Sequence, residues 1–309
     1  MPDWKTIRES ILAENSESVL PLSVKLPILP KALADFRKKS QDPETDMIEL
    51  SQIIASDAGL STELLRNVNV CMAHSRAKVT SVKQALVTLG LSATLLHLTT
   101  SGMKQVMKST SSKLINFQNF WNTNLERSLF AREIARLLGA DKDLAFTAGM
   151  LQDFLLPLIT NQLFDDYLEF TSERDQFENL IAFEREKFGW DHALVAAQVM
   201  YAWQFPDELI CCVYYHHHGL SILKDEELGK TAVAAVAVSS LLPDALRQES
   251  NSLERLFALE KEWPEFELLP IAEKIEVEFK EMASDNKNHF SFLRTYQNAI
   301  KRSEANSDV

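Results

Sequence analysis

The sequence predicts an all-α protein. Glycine is scarce, at 8 in 309 residues, and glycine and proline are where strand-rich chains place their turns. Good helix formers, above all Leu, Ala, Glu and Lys, dominate instead. Apolar residues recur at three- and four-residue spacing along most of the chain.

Length and composition set further bounds. A chain of 309 residues with 46% hydrophobic content can bury one large core or two smaller ones. A formal net charge of -12 argues against non-specific nucleic-acid binding and against an anionic membrane surface, both of which need clustered Lys and Arg. The basic knot Arg37-Lys38-Lys39 reads as a solvated helix end. Cys71, Cys211 and Cys212 are too few and wrongly spaced for a disulfide framework or a zinc ribbon, and the vicinal pair reads as buried thiols on a helix. The N-terminus lacks the apolar stretch of a signal peptide, and no apolar run of spanning length is free of charge. A soluble, cytoplasmic protein is expected.

In chain order, Trp4, Ile7 and Ile11 share one face of a short amphipathic helix. Pro21, Pro27 and Pro30 then fix an extended path. Helical spacing resumes over Lys31 to Arg37. After a loop ending at Asp46 as N-cap, a helix presents Met47, Leu50, Ile53 and Ile54 inward. The pattern restarts at Leu60, Leu64, Leu65 and Val68. Thr80-Ser81 caps the next helix, Gly90 ends it, and another runs from Ser92 to about Val106. Asn69 is polar where a helix should be packing, which fits a side chain that bridges a neighbouring backbone. The polar stretch from Lys108 to Lys113 reads as an exposed hinge between two lobes with a cleft between them.

The second lobe opens with apolar residues from Phe117 to Leu138, stopped by Gly139. A helix follows from near Asp143 through Leu163 and carries one carboxylate, Asp153, inside an apolar run. Tyr167 to Phe188 gives a helix or a pair. His192 follows a capping Asp191, and His216 to His218 close an apolar helix before Gly219. The tail offers helices around Leu253 to Leu259, Leu268 to Phe279 and Phe290 to Ile300. Trp263-Pro264 breaks that run, and the last residues from Lys301 fray. The resulting division is 1–112, 113–246 and a C-terminal helical extension, 247–309.

Several of these segments resemble the HDOD family, relatives of the HD phosphohydrolase superfamily. Leu26-Pro27-x-Leu29-Pro30 comes first, then Leu50-x-x-Ile53-Ile54-Ala55-Ser56-Asp57-x-x-Leu60 and Leu64-Leu65-Arg66-x-x-Asn69, and then Val79-Thr80-Ser81-Val82-x-x-Ala85-Leu86-x-x-Leu89-Gly90. Ala148-Gly149-Met150-Leu151-Gln152-Asp153 is similar to the superfamily's G-L-L-H-D core, with Gln152 at the histidine position. Glu184, Asp191-His192, Trp203-x-x-Pro206 and His216-His217 continue the likeness, which spans roughly residues 20 to 240. An ordered series of this kind is far more specific than any one short pattern.

The resemblance implies two packed helical lobes, the second an HD-like bundle in which Asp153, His192 and His216 or His217 converge. It implies superfamily chemistry built on a divalent metal such as Mn²⁺ or Fe²⁺, held by imidazoles and carboxylates. Three ligand positions of that site fall on poor donors here, near Thr123, at Gln152 and near Ser240. The expected site is therefore a relict metal or ligand pocket of Asp153, His192, His216, His217 and Gln152, with no catalytic residue and at most a weakly bound divalent metal. For the same residues, simple packing stays open as the alternative. The expected function is a bacterial, non-catalytic signalling module, acting without an attached receiver or cyclase and binding a protein partner or small ligand. A metal-dependent phosphohydrolase with atypical ligands is the competing reading, and an accessory protein recognised through a first-lobe groove is a third.

Overall fold

The computed structural model describes residues 2–14, 29–42, 44–71, 78–108, 112–244, 246–249, 251–283 and 289–307. The expected extended path through Pro21 and Pro27 and the centre of the Lys108 to Lys113 hinge lie outside them. In chain order the α-helices are α1 (Trp4–Glu14), α2 (Lys31–Ser40), α3 (Met47–Ala55), α4 (Ala58–Cys71), α5 (Val82–Leu89), α6 (Leu91–Lys108), α7 (Phe117–Leu138), α8 (Lys142–Leu151) and α9 (Leu156–Gln162). They continue as α10 (Phe164–Ser172), α11 (Leu180–Phe188), α12 (His192–Ala202), α13 (Asp207–Tyr214), α14 (Ala232–Ser239), α15 (Ser252–Glu262), α16 (Leu268–Met282) and α17 (Phe292–Ser307). Among the described residues there is no strand, only an isolated bridge between Asn179 and Glu249. The protein is all-α.

The chain forms two compact units. One is Lys25–Thr110, and the other joins Met1–Val24 to Ser111–Val309. In the smaller unit Leu33, Phe36, Leu50, Ile54, Leu60, Leu64 and Leu86 make one core. Asp46 caps α3 by accepting from the amides of Ile48 and Glu49, and Ser81 caps α5 by accepting from Gln84. Gly90 takes the left-handed φ of 77° that lets α5 stop. Asn69 bridges backbone as its position implied: Nδ2 donates to the carbonyls of Leu65 and Val79, and Oδ1 accepts from the Val79 amide at 2.9 Å.

Two residues depart from expectation. Met47 is exposed, because it starts α3 one turn before Leu50 and helical side chains lean toward the N-terminus, past the core's edge. Arg37 is buried at 6% exposure, because it lies four residues after Leu33 and so shares the inner face of α2.

In the larger unit α7 is the central element, packed by α8, α14 and α16. The first helix belongs here and not with residues 25–110: Ile11 is buried, and Arg8 Nε pairs with Asp207 Oδ1 of α13 at 3.0 Å. The tail also packs into this unit. Lys274 of α16 pairs with Glu133 of α7, and the Phe292 amide donates to Glu126. The last helix continues to Ser307 instead of fraying from Lys301.

The helix expected from near Asp143 through Leu163 is broken. Residues 152–155 form tight turns between α8 and α9, with Phe154 N donating to Leu151 O and Leu156 N to Asp153 O. Pro157 accounts for the break. It has no N–H to give the Asp153 carbonyl, and its ring excludes that carbonyl from a continuous helix. At the second position of a new helix the same residue costs nothing.

Candidate metal centre

Asp153 is delivered by a close helix crossing. Gly149 of α8 lies against α7 so tightly that a Cβ there would stand 2.8 Å from Ser128 Cα. One turn later the chain leaves α8 and points the Asp153 carboxylate, 1% exposed, into the bundle. His192 opens α12, with Asp191 as its N-cap accepting from Leu194 N. His216 and His217 follow α13 in a 3-10 segment, Tyr215–Lys224. Gly219 turns that segment at φ 57°, ψ -147°, a conformation open essentially only to glycine.

These side chains meet. Asp153 Oδ1 is 3.2 Å from both His192 Nε2 and His216 Nε2, and His192 Nε2 is 3.1 Å from His217 Nε2. One donor atom from each of the four residues lies within 4.8 Å of the others.

Each imidazole is also tied from behind. His192 Nδ1 is 2.7 Å from Glu184 Oε2, which also accepts the His192 backbone amide. Glu184 Oε1 accepts from the Tyr167 hydroxyl at 2.5 Å. His216 Nδ1 is 2.6 Å from the Val213 carbonyl, and His217 Nδ1 is 2.9 Å from Glu249 Oε1, itself paired with Arg255. A carbonyl or carboxylate can only accept, so each Nδ1 carries its hydrogen outward. That leaves three Nε2 lone pairs and a carboxylate oxygen facing one another. Such a set repels itself unless a cation sits among its members.

The donor set fits a divalent metal. An octahedral ion with bonds of about 2.2 Å puts adjacent donors about 3.1 Å apart and opposed ones about 4.4 Å apart, close to the spread found here. Three imidazoles and one carboxylate suit borderline ions such as Fe²⁺, Co²⁺, Zn²⁺ or Mn²⁺. A proton is the alternative occupant. Burial opposes charge on His192, but Glu184 and Asp153 outweigh it and raise this imidazole to about 10. Burial, helped by the neighbouring His217, pushes His216 down to about 4. Asp153 stays ionised: burial works against its charge, yet the His192 and His216 hydrogen bonds and the Arg127 charge hold it well below the usual carboxylate range.

Gln152, the fifth residue expected in the pocket, adjoins Asp153 in the chain. It is fully buried, and neither its Oε1 nor its Nε2 has a hydrogen-bond partner. Thr123 is half-buried, Asn124 Nδ2 donates to the Met150 carbonyl, and the Ser240 hydroxyl turns back onto Ala237 O. None of these replaces a histidine or an acid.

Sequence reasoning missed the residues behind Asp153. The buried guanidinium of Arg127 binds Asp153 Oδ2, which also accepts from Gln248 Nε2 at 2.9 Å. Arg127 further donates to the carbonyls of Ser240 and Leu242 and pairs with Asp244 at 3.2 Å. Glu126-Arg127, set between the apolar Leu125 and Leu129, was the available signal, since charges beside core positions require buried partners. Asp244 lies just past Pro243, four residues beyond the Ser240 position.

Fold and centre together define a class: an all-helical protein with a buried His/Asp cluster. The HDOD domain family's sequence model matches residues 26–219, most of the chain, and the protein belongs to that family. Its fold resembles a protein from Shewanella amazonensis SB2B with the provisional name phosphohydrolase. The two are 20% identical, with a TM-score of 0.65 covering 89% of this chain and 97% of that one. A Marinobacter aquaeolei VT8 protein, provisionally named for signal transduction, is 18% identical with a TM-score of 0.58, covering 90% of this chain and 64% of that one. An uncharacterized Treponema pallidum (strain Nichols) protein is 22% identical over 198 residues, 62% of this chain but only 38% of that relative. No single helix among the described residues is long and apolar enough to cross a membrane.

Proposed function

We propose that this protein is a non-hydrolytic HDOD signalling module whose His/Asp centre binds a divalent metal as a structural or ligand-sensing element. The observation that carries this reading is the enclosure of the centre. Asp153 and His192 are 1% exposed and His216 is 0% exposed, while hydrolysis at a metal requires an open position for water and substrate. His217 borders a cavity of about 270 Å³, lined also by Asn179, Arg185, Asp191, Tyr214 and His218.

Bound among these residues, a divalent ion supplies Lewis acidity and positive charge. The chain's own part is orientation: Glu184, Val213 and Glu249 aim the three imidazoles, and Arg127 with Gln248 fixes the carboxylate. Output then passes to a protein partner or small ligand, in keeping with the signal-transduction name carried by the Marinobacter relative.

The test pairs metal content with turnover. Purified protein loaded with Mn²⁺, Fe²⁺ or Zn²⁺ is expected to retain metal and to leave phosphomonoesters, phosphodiesters and cyclic dinucleotides intact. One observation favours hydrolysis instead, namely that one of the four donors, His217, lines a cavity. Turnover present in the wild type and lost in Asp153→Ala would establish that second reading.

A further inference from the structure

Asp153 is engaged on both sides. Its Oδ1 faces the imidazoles, and its Oδ2 faces Arg127 and Gln248. The place beside Oδ2 is a niche of oxygen acceptors: the Asp153 and Asp244 carboxylates and the Ser240 and Leu242 carbonyls. Two carboxylates and two carbonyls, distributed around one guanidinium, are the donor types that a hard divalent cation such as Mg²⁺ or Mn²⁺ takes. That guanidinium fills the niche. Arg127 is 1% exposed, and the free space bounded by Thr123, Asn124, Arg127, Asp153, Asp244 and Gln248 is about 10 Å³, too little for an ion with its water.

We propose that the centre takes one divalent ion per chain and that Arg127 is its built-in second cation. This rests on the reading that the His/Asp centre binds a metal. The guanidinium cannot be exchanged or chelated, and it has no open coordination position to offer a water or a phosphate oxygen. It therefore does half of what a second metal ion does. It neutralises and orients Asp153 as a positioning residue, but it cannot complete the two-ion clamp that grips attacking and leaving oxygens in dinuclear phosphoryl-transfer sites. The same residue thereby closes the two-ion route to phosphoryl transfer.

The experiment counts ions. Metal-stripped full-length protein is dialysed against Mn²⁺ or Co²⁺ and analysed for metal per chain, with the Co²⁺ absorption bands reporting on the donors. Wild type is expected to saturate at one equivalent. Arg127→Met, which removes the charge and whose flexible, uncharged side chain can withdraw from the niche, is expected to admit a second Mn²⁺ at high concentration. Arg127→Lys, which keeps the charge, is expected to stay at one with the wild-type Co²⁺ spectrum. Two equivalents in wild type, or one in a folded Arg127→Met, overturns the inference while leaving metal binding intact. No metal in wild type sinks the underlying reading instead. Should Arg127→Met fail to fold by circular dichroism, the wild-type count decides alone: one equivalent supports the inference and two overturns it.

Discussion

Asn69 and Arg127 are both polar residues in apolar surroundings, and they differ in how far the sequence alone exposes them. Asn69 stands out because a lone amide on a packing face must answer to backbone, and it does so through both of its ends at Val79. Replacing it by Ala leaves the Val79 amide and carbonyl without that partner. Asn69→Ala is expected to cost about 2 kcal/mol, read as a lower urea midpoint for the 25–110 unit. Arg127 is harder to see. A charge pair in a long helix usually marks a solvated face, and only the fold reveals that this arginine meets Asp153, 26 residues on, and Asp244, 117 residues on. The converging histidines were legible through an ordered motif series, whereas the groups that aim them were partly hidden. Glu184 belonged to a motif, but Glu249 reaches His217 from a segment without a pattern.

At the scale of elements, helix limits followed from local chemistry that a sequence displays openly. Asp46, Ser81 and Asp141 cap helices, and Gly139 and Gly189 end them in left-handed conformations. The break at residues 152–155 was less legible because proline is compatible with two outcomes, a kink or a fresh start, and tertiary packing chooses between them. Position 149 governs that packing. With the Ser128 backbone 2.8 Å from where a Cβ would stand, α8 must back away from α7 to accept any side chain. Gly149→Ala is therefore expected to destabilise the protein by about 1–3 kcal/mol. Since the displacement also moves Asp153 from Arg127, the Co²⁺ affinity should fall with it. Thermal melts and Co²⁺ titrations of the variant check both, and an unchanged melt would remove the argument for a tight crossing.

At the scale of the molecule, the least legible feature is which unit each terminus joins. Hydrophobic periodicity says that Trp4, Ile7 and Ile11 need a partner but does not say where. In the structure the partner is α13, where the Cys211 thiol lies 3.9 Å from the Trp4 carbonyl. Burial, with Asp207 nearby, pushes that thiol up to about 12, and burial likewise raises the Cys212 thiol well above its ordinary value. Because an acid whose folded pKa is raised favours folding while it stays protonated, this contribution is complete below pH 9.0 and is lost as pH climbs toward about 12. Deleting residues 2–14 is expected to uncover Cys211 and leave Cys212 inert. Peptide-level alkylation at pH 8 should then label Cys211 only in the truncated protein. Equal labelling in both forms would count against the docking of α1.

The unequal burial of the four donors has a kinetic meaning. Three of them cannot meet solvent without opening the bundle, whereas His217 stands at a cavity wall. Release of an ion would then begin with rotation of that single imidazole away from Glu249, and a chelator would have to wait for it. Removal by excess chelator should accordingly follow a rate that stops rising with chelator concentration. Loosening the latch in Glu249→Gln should raise that plateau while shifting equilibrium affinity far less. Residence time, set by one swinging ring, would then be the quantity that distinguishes a stored ion from an exchanging one.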